Sequence, residues 1–176
     1  MPRRVGHSYR SCFFIILILK ENYTMAQATT FPTASFYSNT NVYYANGSDY
    51  IGECTWYAWG RAHEVTGQTD LPNKMAGSWY KNTPSGYTKR GPTLTPAAPG
   101  IGCFGNHVVF IEEVTSTDVK FSEANWYTST DSRFSNGVCE TPSTTPTGTD
   151  GQIKSLSISS FKNRSGGGTY QGCIVL

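Results

Sequence analysis

The sequence predicts an α+β domain, with one helix in the N-terminal half packed on an antiparallel β-sheet supplied by the C-terminal half. Three observations carry this. Apolar residues recur at helical spacing around residues 54–67, and from residue 107 the period shortens to two. Eighteen Gly and nine Pro, with abundant Ser and Thr, supply turns for many short strands. Aromatic residues make up 14% of the chain and charged residues only 15%, which excludes a disordered polymer.

The 176 residues suit one ordinary domain. We divide them into a tail, residues 1–28, and a single domain, residues 29–176. Arg3, Arg4 and Arg10 precede the apolar run Phe13–Leu19, and Ala26-Gln27-Ala28 resembles a cleavage site. The run is only seven residues long, and a polar gap, Lys20–Thr24, follows it. The tail therefore reads either as a signal peptide or as an extension upstream of a start at Met25. No apolar run approaches the ~20 residues that cross a bilayer, so no membrane-spanning helix is expected. Residues 1–24 hold four basic side chains and one acid, and the remainder holds ten and eleven. A body so near neutrality lacks the basic stripe of a nucleic-acid binder.

Residues 29–51 are polar and aromatic, with a turn signal at Asn46-Gly47. Cys54, Ala58, Ala62 and Val65 then fall on one helical face, and Gly67 is placed to cap the helix. Gly60 inside it costs about 1 kcal/mol relative to Ala, so packing must hold the helix. A second short helix is expected from Asn73 through Trp79 and Tyr80, with Asn73 as N-cap. Thr83–Gly105 reads as loop. His107–Val114 and Val119–Trp126 read as paired strands, Thr141–Gly151 as loop, and Ile153–Ile158 and Tyr170–Val175 as final strands.

Cysteines stand at positions 12, 54, 103, 139 and 173, with no C-x-x-C pair. That spacing gives no zinc site and only a weak disulfide framework, in which Cys139–Cys173 is the one bridge considered. What remains is a reactive thiol or buried structural cysteines. Cys54 begins a helix, where unpaired N–H groups and the dipole favour an anion. The same position also suits a small hydrophobe on a buried face.

A nucleophilic thiol needs an imidazole. His7 belongs to the tail. His63 lies nine residues beyond Cys54 on the same helix, about 900° around and ~13 Å along, so it faces away. His107 is left. It shares a strand face with Val109 and Ile111, as Phe121, Glu123 and Asn125 share one on the next strand. With an odd hairpin loop, His107 stands opposite Asn125, and Val109 opposite Glu123, within hydrogen-bond reach. An even loop puts His107 opposite Trp126 and breaks the arrangement. Isolated polar residues on a strand also fit a solvated face.

Gly52-Glu53-Cys54-Thr55-Trp56-Tyr57 resembles the nucleophile motif of the cysteine- and histidine-dependent amidohydrolase/peptidase (CHAP) family. Asn106-His107-Val108-Val109-Phe110-Ile111-Glu112 resembles its histidine strand, and Ser122-Glu123-Ala124-Asn125-Trp126 its acidic strand. Pro99-Gly100 and Tyr170-Gln171-Gly172 also fit, so the resemblance spans about residues 45–176. It implies a papain-like fold and cleavage of amide bonds in bacterial peptidoglycan, at N-acetylmuramoyl-L-alanine linkages or in cross-bridges. By the same resemblance Cys54 is the nucleophile, His107 the general base and Glu123 the group that orients the ring, with Asn125 assisting. The chain departs from the family in the short Ile101–Asn106 stretch with its cysteine.

Some members carry a calcium loop of close aspartates before the nucleophile. Only Asp49 stands there, so no metal and no other cofactor is expected. Trp79, Tyr80 and Trp126 are candidates for lining a glycan-peptide groove, although aromatics at such positions equally suit a core. The expected partner is bacterial peptidoglycan, in an extracellular or cell-wall setting, for a secreted or phage-encoded protein. No repeat-type wall-binding module is visible, so a separate wall-targeting partner is considered. Competing readings are a non-catalytic wall-binding or phage structural module, and an enzyme for a small amide such as glutathionylspermidine. An intact Cys–His–Glu set argues against the first, and the lack of concentrated charge argues against the second.

Overall fold

The computed structural model describes residues 34–46, 50–125 and 151–176, with the backbone of 134–135 and 138–139. In chain order its elements are a 3-10 turn (Ala34–Tyr37), α1 (Val42–Ala45), α2 (Cys54–Thr66), a 3-10 turn (Ala76–Ser78), β1 (Thr88–Arg90), β2 (Gly100–Phe104), β3 (Val108–Val114) and β4 (Asp118–Ser122). They continue as β5 (Phe134–Ser135), β6 (Val138–Cys139), β7 (Lys154–Ser157), α3 (Ile158–Lys162) and β8 (Tyr170–Val175). Six strands form one antiparallel sheet in the order β1-β8-β2-β3-β4-β7, while β5 and β6 pair separately. The mixture is α+β, as expected, with the nucleophile-bearing helix packed on the sheet.

Helix α2 matches the expected span and ends at Gly67. Gly67 takes φ 74°, and its N–H bonds the His63 carbonyl at 2.8 Å. The single apolar face was too narrow a reading. Every residue from Cys54 to Ala62 is buried, because the Ala34–Tyr37 turn and α1 cover the side that β3 does not. A Cβ on Gly60 would stand 2.5 Å from Phe36 Cδ1, so its cost in helix propensity follows from ring packing. One buried cluster gathers α2, Trp79, Val108 and Phe110, and a second gathers Phe104, Val109, Ile111, Phe121 and Phe161. Trp56, Trp59 and Trp79 are fully buried, each contributing on the order of 2–3 kcal/mol by area.

Three local expectations are corrected. The helix from Asn73 to Tyr80 shrinks to the Ala76–Ser78 turn, since Asn73 makes no cap and Gly77 sits where a Cβ would be 2.0 Å from the Gly105 carbonyl oxygen. The loop expected over Thr83–Gly105 contains β1 and β2. Gly100 and Gly102 are there because side chains would strike Ala97, Ile174, Phe161 and Val109, not because the chain turns. Past β7, residues 158–162 form α3, which Ser157 caps by accepting the Ser160 N–H. Residues 1–28, Trp126 and the loop 141–150 lie outside the described residues, as does the Cys139 side chain; Cys173 is a free thiol, so it forms no bridge to Cys139.

The β3–β4 hairpin settles the register. Its loop holds an even number of residues, since Val114 pairs with Val119. Glu112 is a bulge that adds one residue to β3, and beyond it Ile111 pairs with Phe121 and Phe110 with Ser122. The bulge thereby gives Ile111–Phe121 and Phe110–Ser122 the register that an odd loop would have set. Glu112 itself turns inward to a bidentate pair with Arg61 of α2, at 3.0 and 2.9 Å, and accepts from Ser122 Oγ at 2.6 Å. Both partners are almost wholly buried, so this pair locks α2 onto β3.

Candidate active site

A turn delivers Cys54. The Glu53 N–H bonds the Tyr50 carbonyl at 3.1 Å, and Gly52 adopts φ 91° between them. Glu53 is extended at the N-cap, and the first intrahelical bond runs from the Tyr57 N–H to its carbonyl. Cys54 is thus the first helical residue, and its own N–H belongs to the turn that has no intrahelical acceptor.

A second turn delivers His107. Residues Gly105-Asn106 form a two-residue connection closed by the Phe104 N–H on the His107 carbonyl at 2.8 Å, and the Asn106 N–H is tied to Gly167 O at 2.8 Å. His107 therefore stands just before β3, and Glu123 just after β4. The shared strand face expected for them does not apply there. Val109, Ile111 and Phe121 pack in the cluster away from α2, whereas His107 is freed from the pleat and meets Cys54.

The structure brings Cys54, His107, Glu123 and Asn125 together. His107 Nε2 lies 2.9 Å from Glu123 Oε2. The ring also hydrogen-bonds Cys54, through Nδ1 because Nε2 is taken. Asn125, at φ 58° in the left-handed region that Asn tolerates, donates from Nδ2 to Glu53 Oε2 at 2.7 Å. His63 bonds the Gln68 carbonyl and packs at a tilt against Trp59, away from the site.

Burial opposes a charge on His107, but Cys54 and Glu123 outweigh it and push the imidazole up to about 9. Burial also opposes ionisation of Glu123, yet His107 and Arg164 hold its carboxyl well below the ordinary range. Burial raises Glu53, partly countered by Asn125 and His107. Cys103 and Cys173 are fully buried thiols that burial pushes up, so they are structural.

A cavity of about 520 Å³ opens over Cys54, lined also by Tyr43, Tyr50, Glu53, Met75, Ser78 and Asn106. Neither Trp79 nor Tyr80 lines it. Trp79 is a core residue, its N–H donating to Tyr43 Oη at 2.9 Å, and Tyr80 packs under Lys89, which lies 5.1 Å over its ring. Trp79, at 0% exposure, has no surface to offer a groove. Sequence reasoning missed Tyr50 and Met75, exposed at 40% and 79%, whose only signal was an apolar residue beside the nucleophile motif or a turn. It also missed Lys154 and Arg164, which bond Glu123 Oε1 at 3.0 and 2.9 Å.

All four site residues fall within one stretch that matches a family model, residues 43–125. Those residues form a CHAP domain. No curated protein and no solved structure gives a match. A CHAP domain indicates a family of peptidoglycan-hydrolase-like amidases and peptidases. The α+β architecture agrees with its papain-like fold. Among the described residues no group of three or more His, Cys, Asp or Glu side chains could hold a metal, and no helix is long and apolar enough to cross a membrane.

Proposed function

We propose that this CHAP domain hydrolyses an amide bond of bacterial peptidoglycan through an acyl-enzyme on Cys54, acting outside the cell at the wall. One observation supports the reading above the others. A single buried imidazole is bonded on one side to a thiol that opens into a cavity, and on the other to a carboxylate that holds the ring.

The chemistry follows from that placement. With Glu123 ionised, Nε2–H donates to it and Nδ1 is the nitrogen that holds the proton taken from Cys54. The thiolate adds to the amide carbonyl, and the Cys54 N–H at the helix start stabilises the oxyanion. His107⁺ then gives its proton to the leaving amine as the C–N bond breaks, leaving a thioester. Water, deprotonated by His107, attacks the thioester; the C–S bond breaks and the thiol is restored. Asn125 acts by holding Glu53 at the mouth of the cavity. Incubating purified peptidoglycan with the protein, and identifying new amino termini by mass spectrometry, tests the proposal. New termini that Cys54→Ala abolishes are expected; none from the parent protein, or an equal yield from Cys54→Ala, would overturn it.

A further inference from the structure

We propose that Lys154 and Arg164 are positioning residues of this site, clamping one oxygen of Glu123 so that the other stays ionised and aimed at His107 Nε2. The inference rests on the hydrolase reading above for its purpose, and on independent geometry for its substance. Glu123 is 0% exposed. Its Oε2 is bonded to His107 Nε2 at 2.9 Å, while Oε1 accepts from Lys154 Nζ at 3.0 Å and Arg164 Nη2 at 2.9 Å.

The division of labour between the two oxygens has a chemical consequence. A buried carboxyl group tends to neutralise itself by taking a proton. Protonated Glu123 would donate its O–H to Nε2. The ring hydrogen would then sit on Nδ1, which could no longer accept the thiol proton. Keeping Glu123 ionised is therefore what keeps the base facing Cys54, and two cations on Oε1 do that without competing for Oε2.

Arg164 is built for a fixed position. Its side chain is 7% exposed, and its guanidinium lies 4.9 Å over the Phe121 ring and 5.6 Å over that of Phe104. Lys154 opens β7 in register with Phe121, and the Gly151 N–H bonds the Glu123 carbonyl at 2.9 Å. Residues 151–164, beyond the matched CHAP stretch, thus return to β4 and complete the site from behind. The buried Arg61–Glu112 pair is a useful contrast, because it joins helix to strand and touches no site residue.

The charged groups facing the imidazole are Cys54 and Glu53 from the start of α2 and Glu123 after β4; Lys154 and Arg164 act through Glu123. Removing one cation should let Glu123 take up a proton at higher pH. The test uses full-length Lys154→Met, Arg164→Met and Arg164→Lys, each also combined with Glu123→Gln. Iodoacetamide labelling of Cys54 against pH, read by peptide mass spectrometry, needs no substrate.

Each Met variant should raise the midpoint of the acid limb by about one pH unit, the order expected for loss of one neighbouring charge. Arg164→Lys should restore most of it, and in the Glu123→Gln background the effect should vanish. An acid limb that stays in place while the melting temperature falls would assign the two cations to structure alone. So would shifts that persist undiminished with Glu123→Gln. Lys154, at 27% side-chain exposure, keeps the test decisive if Arg164→Met does not fold. A clamp-dependent labelling profile in a protein that releases no termini from peptidoglycan would sink the hydrolase reading and leave the clamp. Release of termini with an unmoved profile would do the reverse.

Discussion

Replacing Glu123 with Gln removes one charge and almost no volume, so its effects trace to the ion cluster. Three charge-assisted hydrogen bonds converge on the carboxylate, from His107, Lys154 and Arg164. Each such bond contributes about 1.5–3 kcal/mol. The Gln amide keeps one acceptor, and Lys154 is partly solvated, which discounts its share. Arg164, 7% exposed, exchanges a charged acceptor for a neutral one. The net loss should be about 3 kcal/mol, the lower end for a broken buried pair. The loss should also depend on pH. His107 is raised from 6.5 to about 9, so its pairing stabilises the fold fully below about 6.5 and fades as pH rises through 9. Glu123 is lowered from 4.5, so its pairing is full above about 4.5 and fades as pH falls through its folded value. The gap between parent and variant should be widest near pH 5–6.5 and narrower, though not closed, at pH 9. If the amide nitrogen faces Nε2 it donates there, forcing the ring hydrogen onto Nδ1, so kcat/KM should drop about 10²–10³-fold. Urea melts at pH 6 and pH 9, with peptidoglycan turnover at each, measure both effects. A stability gap equal at the two pH values, or turnover within about threefold of the parent, would refute the argument.

Gly60→Ala gains about 1 kcal/mol of helix propensity but drives a methyl into the Phe36 ring, 2.5 Å away; overpacking should win, for a net loss of about 1–2 kcal/mol by thermal melting. A rise in melting temperature would mean that the Ala34–Tyr37 turn yields. Glu112→Gln should lower stability by about 3 kcal/mol while leaving the Cys54 labelling profile in place, because Arg61 and Ser122 lie outside the proton path. A displaced profile would show the two ion clusters to be coupled. In the native protein iodoacetamide should label Cys54 well before Cys103 and Cys173, which are fully buried and burdened by raised pKa values; comparable rates would place the nucleophile elsewhere.

What the sequence made legible was set by how local the governing physics is. Helix α2, its Gly67 cap and the placing of Cys54 at its start follow from short-range periodicity, and all three stand in the structure. Excluding His63 as the partner of Cys54 needed only helix geometry. The glycines of β2 were misread because Gly signals both turns and close packing, and only the neighbours Phe161, Val109 and Ile174 distinguish the two. Trp79 was open between groove and core for a similar reason, and Tyr43, 36 residues away in sequence, decides it by accepting the indole N–H. Lys154 and Arg164 carried no local signal at all. A lone Lys at a strand start and a lone Arg before Ser-Gly-Gly look solvent-facing until β7 is laid beside β4.

The hairpin reaches the expected strand register by a route that simple alternation does not contain. Alternation required an odd loop to bring His107 toward Asn125, and the loop is even. Glu112 supplies the missing residue as a bulge, and the same residue reaches Arg61. Both effects come from one insertion, for the bulge bends β3 and increases its twist as it adds a position. The strand is thereby fastened to α2, whose other end presents Cys54, in the register that sets His107 and Glu123 at its open end. A polar residue at the bulge would be costly without Arg61, and the register would slip by one position without the bulge, setting His107 opposite Trp126. The buried ion pair that looks purely structural is therefore part of how the thiol, the imidazole and the carboxylate come to share one site.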